Sequence, residues 1–412
     1  MSTNTQLIVS LWLLNFINAL DRVAMGFAGP AIMKSLALSP SAFGVILSSF
    51  GVGYFLAQAP SGFLADRWGV RPLLIGGPIL WALFTGMTGL VSTLASFVVV
   101  RFFFGISEGL TGASTYKAVG DSFASKDRAR TLAICTTALA VAPAVAGPLM
   151  GLLVTSWGWQ VAFFVLAIPS LITAYVMYRT IPARATTPQA KKAAQSLPPL
   201  WQTLKQPRIL LLAAATFCWN VPYWGFSSWM PTYLVQARHL DLMSAGFIAG
   251  VPYLFAFAGM IFGGWLGSRF HRYCAHIVTG AFIVAGFFLI FAYRADTVVL
   301  AVVGLSGAAF CLFGATGPIG KVGLDLAPEH QRGAFIGLIV MVGQLGAICA
   351  PAVIGFLVDW AHNFAAGFGF MIAALWAAAA SYAVLEIMVK STPTSMNVED
   401  GVTIGSRRDS AA

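Results

Sequence analysis

Arg101-Phe-Phe-Phe-Gly-Ile-Ser-Glu108 places two ionisable side chains seven residues apart inside an otherwise apolar run. On a helix that spacing is about two turns and roughly 10 Å of rise, so both groups reach one cavity without pairing along the helix. Their chemistries differ. Arg101 presents a planar fork of donors that keeps its charge and fits a carboxylate through two parallel hydrogen bonds. Glu108 can trade a proton: burial favours the neutral acid, a neighbouring guanidinium favours the carboxylate, and the balance moves when a neighbour arrives or leaves. Partners must come from another segment, and Asp21-Arg22, also inside an apolar run, is the first candidate.

An ionised side chain at mid-span costs about 2.5–3.5 kcal/mol on an insertion scale before partners are counted. Asn15, Asn18 and Arg22 recur at i, i+3 and i+7, which makes one face of that helix polar enough to line water or a ligand. Asp21 turns about 100° away, toward a neighbouring helix or the cavity edge. A structural ion pair between helices is the simpler alternative for both. Tyr54 and Gln58 share a face at i, i+4 and suit a common hydrogen-bonding ligand, or else join two helices. Trp219, Tyr223 and Phe226 form a stripe with Asn220, Trp224 and Ser227 beside it, which reads as packing or as a cavity wall supplied with polar groups by Asn220 and Tyr223. Gln344 is a lone amide between Gly343 and Gly346. Lys117 lies nearly opposite Glu108 on its helix; snorkelling to the surface beside Asp121 is the expected arrangement.

Gly105-Ile-Ser107-Glu108-Gly109 matches G-x-S-x-G. A serine nucleophile needs an adjacent base, and the histidines at 239, 271, 276, 330 and 362 fall in loops or near span ends. The glycines suit close helix packing instead, and an enzyme is not expected. Phosphate-cradling and HExxH patterns are absent, no oxygen-ligand cluster calls for a bound cation, and no metal or cofactor is expected.

The elements that must hold these groups are membrane spans. Hydrophobic residues make up 58% of the 412 residues and charged ones 9%, with a mean hydropathy of +0.81, which excludes an ordinary soluble domain. Apolar runs at about 7–33, 43–64, 72–93, 95–118, 131–155, 159–180, 208–236, 243–268, 274–293, 297–320, 333–358 and 364–389 predict twelve transmembrane helices. The first is read as a retained span rather than a cleaved leader. Connections after even-numbered spans carry Arg67 and Arg71; Lys126, Arg128 and Arg130; Arg269 and Arg272; Lys321 and Arg332. Those after odd-numbered spans hold only Lys34, Arg238 and Arg294, so both termini are expected in the cytoplasm. The net charge of +10 reports this orientation and not a nucleic-acid partner. Residues 181–207, polar, basic and proline-bearing, read as a cytoplasmic linker between a first half, 1–180, and a second, 208–390; the polar tail 391–412 is expected to be disordered. The five cysteines lie in or beside apolar runs and read as small buried thiols.

Gly62-Phe-Leu-Ala-Asp66-Arg67-Trp-Gly69-Val-Arg71 has a weaker echo in Gly263-Gly-Trp-Leu-Gly267-Ser-Arg269, six spans later. The first segment resembles the signature loop of the major facilitator superfamily. Asn18-Ala-Leu-Asp21-Arg22, Tyr54 with Gln58, Arg101 with Glu108, and Trp229-Met-Pro231-Thr-Tyr233 resemble its anion:cation symporter branch, and Lys117-Ala-Val resembles the matching segment of hexuronate transporters. The resemblance covers about residues 10–390 and implies an all-α membrane protein of two six-helix halves. It implies a proton-coupled importer of a small organic anion, a sugar acid first, acting by alternating access in the inner membrane; Phe102, Phe103, Phe104 and the aromatics of the seventh span, which suit an apolar wall, make an aromatic carboxylate the second choice. The resemblance places binding of the substrate carboxylate on Arg22 and Arg101 and proton coupling on Asp21 and Glu108; by residue type and spacing Tyr54, Gln58, Asn220, Tyr223, Trp224 and Gln344 are expected to complete the substrate site, Gln344 standing where the family often has asparagine. Asp66, Arg67 and Arg71 are expected to form a cytoplasmic gate. Protons, the anion and membrane lipid are the expected partners, and the chain is expected to act as a monomer. A proton-coupled exporter and a non-transporting receptor are the competing readings; the exporter leaves two buried arginines unexplained.

Overall fold

Ser39, Thr93, Asp241 and Thr297 each stand one residue before an apolar helix and accept a hydrogen bond from the backbone N–H three residues on, at 2.9–3.3 Å. These caps satisfy donors that a helix end would otherwise leave orphaned near the membrane surface. At Asp241 the bonds from Ser244 hold the carboxyl below its ordinary range.

The computed structural model describes residues 3–181, 206–327 and 332–390. Nearly all of the expected linker 181–207 and the whole tail 391–412 lie outside them. In the first half, α1 is Thr3–Leu36, α2 Pro40–Trp68, α3 Val70–Thr88 and α4 Leu94–Ser122. Ser125–Thr180 is hydrogen-bonded as one run of 56 residues. A straight helix of that length would rise about 84 Å, nearly three times a hydrocarbon core of about 30 Å. It breaks at Gly158, whose φ of 83° is open to glycine and strained for other residues, so 125–157 is α5 and 159–180 is α6. The second half comprises α7 Pro207–Gln236, α8 Leu242–Arg269, α9 Cys274–Arg294, α10 Val298–Gly314, α11 Thr316–Leu326, α12 Arg332–Ala361 and α13 Ala365–Lys390. Helices α10 and α11 together make one 29-residue span. Among the described residues, eleven stretches are long and apolar enough to cross a membrane, and the break at Gly158 divides one of them, which brings the crossings there to twelve.

Packing repeats between the halves. α2 pairs with α4 and α8 with α10; α3 pairs with α4 and α9 with α10; α1 packs on the α5–α6 run and α7 on α12 and α13. Between halves the contacts run α2 to α12, α5 to α8 and α1 to α7. We call the end where α1 starts and α13 finishes the terminal end, and the opposite one the distal end. Two polar contacts join the halves distally: the Ser41 hydroxyl donates to the Asp359 carboxylate, and the Ala352 N–H donates to Ser48 Oγ at 3.1 Å.

At the terminal end, Lys117 of α4 pairs with Asp66 of α2 rather than with the expected Asp121, and Arg71 of α3 donates to the Tyr178 carbonyl of α6 at 3.3 Å. Both contacts stay within the first half, and Arg67 is exposed. Cys135 and Cys274 are buried as expected, Cys218 and Cys311 half-buried, and Cys349 is exposed, contrary to expectation.

The α2–α4 crossing sets the position of the charged residues. A Cβ on Gly105 would stand 2.1 Å from the Phe50 carbonyl oxygen, so only glycine lets the two backbones approach this closely. Gly105→Val is therefore expected to push α2 off α4 and lower the melting temperature of the purified protein by several degrees, an overpacking cost of about 1–3 kcal/mol. Gly62→Ala, where the added carbon meets nothing within 4 Å, is expected to melt with the wild type in the same fluorescence-monitored assay.

Candidate functional site

The α2–α4 crossing brings the charged groups together. Arg22 of α1 donates to Glu108 Oε2 of α4 through Nε at 3.2 Å and Nη2 at 2.9 Å, and Nη2 also donates to Asn18 Oδ1 at 3.0 Å. The Glu108 side chain is fully buried. Three rings face the Arg22 guanidinium: Tyr54 at 4.9 Å, Phe50 at 5.3 Å and Trp224 at 5.4 Å. A cation over ring faces is stabilised by their quadrupoles, the more so where water is scarce. Arg101 is also buried; its guanidinium stands 4.3 Å from the Phe104 ring and 5.5 Å from Phe50, and its Nε has no hydrogen-bond partner among the described residues. The same holds for Glu108 Oε1.

Two cavities meet at Arg22 and Tyr54. One, of about 140 Å3, lies toward the terminal end between α1, α2, α4 and α5. Asn15, Asn18, Glu108, Thr111, Thr115 and Thr136 supply its polar lining. The other, of about 30 Å3, lies toward the distal end between the halves, where Arg101, Trp224, Ser228 and Gln344 join Phe50 and Pro351. Both guanidiniums thus come from the first half, and the second half supplies an uncharged wall of indole, hydroxyl and amide. A carboxylate held here meets two cations. Hydroxyl groups on the same molecule meet hydroxyls and amides, which both donate and accept.

Asp21 faces away from this wall. Its Oδ2 accepts from Ser170 Oγ of α6 at 2.8 Å, and it lines neither cavity. Gln58 lines neither cavity, although Tyr54 lines both. The Asn220 amide donates to the Thr216 carbonyl one turn back, at 2.9 Å, and a Cβ on Gly343 of α12 would stand 2.7 Å from its Nδ2, so Asn220 takes part in the α7–α12 contact. The Tyr223 ring packs on Phe313 of α10 at 4.6 Å. Of the α7 residues expected in the cavity wall, Trp224 is there and Asn220 and Tyr223 are not. Ser107 donates to the Phe104 carbonyl at 2.6 Å, a bond internal to its own helix.

Sequence reasoning passed over Phe50, whose ring faces both guanidiniums; its position four residues before Tyr54 was the signal. It also passed over Ser170 and Ser228, which look like any small residue in an apolar run.

A family model described as Major Facilitator Superfamily matches residues 11–351. A hexuronate transporter of Bacillus subtilis (strain 168) is 29% identical over 418 residues, covering 96% of this chain and 98% of its own. A probable L-galactonate transporter of Escherichia coli (strain K12) is 32% identical over 374 residues, covering 84% and 82%. Among solved structures, a bacterial homologue of the human lysosomal transporter Spinster, in an inward-facing and occupied conformation, superposes with a TM-score of 0.78 at 16% identity, covering 93% of this chain and 97% of its own; that likeness is one of fold.

Breaking a buried pair by removing one partner typically costs about 3–5 kcal/mol, because the remaining charge is left uncompensated. Arg22→Ala is expected to lower thermal stability by an amount of that order. Arg22→Ala with Glu108→Gln is expected to recover most of it, since the second change removes the stranded carboxylate. A thermal double-mutant cycle measures this, and additive losses would show that the pair is not coupled.

Proposed function

The chain belongs to the major facilitator superfamily, and on that premise we propose that it imports a small sugar acid, a hexuronate or an aldonate, together with protons, by alternating access of its two halves. The observation that carries the reading is the Arg22–Glu108 bond at the wall between the two cavities. A substrate carboxylate and the Glu108 carboxylate want the same guanidinium, and protonation of Glu108 hands it to the substrate. The hexuronate and galactonate transporters among the relatives support a sugar acid as cargo. So do the hydroxyl and amide groups of Asn15, Asn18, Tyr54, Ser228 and Gln344 around the two cavities.

The positive-inside bias makes the terminal end cytoplasmic and the distal end external. In the proposed cycle the protein, open to the outside, takes up a proton on Glu108 and the anion on Arg22 and Arg101. Asp21 is the second coupling carboxyl. The halves then rock about the site. The distal contacts, Ser41 with Asp359 and Ser48 with Ala352, close the outer side. Glu108 now borders the cavity on the cytoplasmic side, loses its proton there, recaptures Arg22 and displaces the substrate. The Asp66–Lys117 pair and the Arg71 contact hold helix ends within one half, so a cytoplasmic gate would need partners from the second half in the opposite state. An aromatic carboxylate is the second reading, favoured by the Phe50, Tyr54 and Trp224 rings around Arg22. Competition of unlabelled hexuronates, aldonates and benzoates for uptake ranks the two.

Arg101→Ala is expected to abolish both binding and uptake in proteoliposomes with an imposed inside-alkaline gradient. Glu108→Gln is expected to keep substrate exchange while losing gradient-driven accumulation. Full accumulation by Glu108→Gln would remove it from the coupling step.

A further inference from the structure

Ser170 has an unusual hydroxyl for its helix. Mid-helix Ser and Thr normally bond back to the carbonyl one turn earlier. In α6, Thr173 does so to Pro169 and Thr180 to Val176, each at 2.8 Å. Ser170 Oγ lies 3.3 Å from the Leu166 carbonyl and 2.8 Å from Asp21 Oδ2. Ser170 and Asp21 are both almost completely buried, at 0% and 1% exposed, and Asp21 Oδ1 has no partner among the described residues. Oγ therefore has two acceptors within reach from one position, and rotation of its O–H about the Cβ–Oγ bond selects which of them is favoured.

We propose that Ser170 is the positioning residue of Asp21, a hydroxyl that turns between the Asp21 carboxyl and the Leu166 carbonyl as that carboxyl loses and gains its proton. With Asp21 ionised, Ser170 O–H donates to Oδ2. When a proton from the aqueous phase binds Oδ2, the new O–H donates to Ser170 Oγ, and the serine proton swings to Leu166 O. The only covalent bond made is the O–H on Asp21, and Ser170 keeps its own proton throughout. A hydroxyl is suited to this because it donates and accepts at one atom. The other groups that bear on Asp21 are the ionisable Arg101 and Glu108 of α4 and the Thr85 hydroxyl of α3. Ser170 thus gives Asp21 a hydrogen bond in either protonation state, so the carboxyl can change state inside a packed bundle without repacking α6. The inference rests on the reading of Asp21 as a coupling carboxyl.

Initial uptake against pH, in proteoliposomes of the full chain, tests it. Ser170→Ala takes a charge-assisted donor from the carboxylate and only a neutral acceptor from the acid, so the acid form gains. Its half-maximal uptake is expected to move about one pH unit to the alkaline side, with accumulation retained. Ser170→Thr is expected to restore the wild-type midpoint. Ser170→Cys, with a weak donor of similar size, is expected to fall between and stands in should the alanine variant fail to fold. A wild-type midpoint in both Ser170→Ala and Ser170→Cys, even with a uniformly lower rate, would overturn the proposal and leave Ser170 a packing residue. Asp21→Asn separates the two levels. If it loses accumulation while the serine variants keep the wild-type midpoint, only the inference about Ser170 fails. If it accumulates like wild type, the reading of Asp21 fails and takes the inference with it.

Discussion

Arg22 reaches Glu108 from one helix to another in a region where neither charge can be left alone. The cost of an unpaired ion in a span, a few kcal/mol even on the gentler scales, is the constraint from which the neighbouring arrangement follows. The α2–α4 crossing must be close enough to set Phe50 and Tyr54 beside the guanidiniums, which is why glycine stands at position 105. Asn18 takes a donor that Glu108 leaves over, and three rings cover the face of Arg22. The pair also leaves Glu108 Oε1 without a hydrogen-bond partner among the described residues, so it is satisfied there only in part. A bond of that kind can be exchanged for another of similar strength, and a substrate carboxylate offers one.

The four charges divide by what they face. Arg22 and Glu108 border the larger cavity and Arg101 the smaller, while Asp21 is turned into its own half against α6. The charge balance of the site is thus built almost entirely within the first half. The second half contributes Trp224, Ser228 and Gln344, which add ring, hydroxyl and amide groups to the smaller cavity without adding charge. In the proposed cycle such a division would let the cargo's charge and its remaining features be read by two bodies that rock about the site.

Much of this arrangement is legible in the sequence. Asp21, Arg22, Arg101 and Glu108 stood out because ionisable groups in apolar runs are expensive. The i, i+3, i+7 spacing placed Asn15, Asn18 and Arg22 on one face, and all three line the same cavity. Periodicity served less well where a side chain had two neighbours to choose from. Asn220 and Tyr223 share a polar aromatic face with Trp224, yet the rotation of α7 sends them to α12 and α10. Lys117 had Asp121 one turn away and pairs with Asp66 on another helix, since a long flexible side chain follows whichever carboxylate the packing brings nearest.

The order of residues by itself determined that the chain crosses a membrane many times, roughly where each span lies, and which side chains are too costly to be there without purpose. These follow from transfer free energies and helical spacing, which are local properties of the chain. Tertiary structure alone decided which buried groups meet: that Glu108 rather than Asp21 holds Arg22, that Ser170 holds Asp21, and that two cavities adjoin at Arg22 and Tyr54. Those pairings join residues 86 and 149 positions apart in the chain. They depend on how far each helix is rotated and how closely it is crossed, and no local pattern records either quantity.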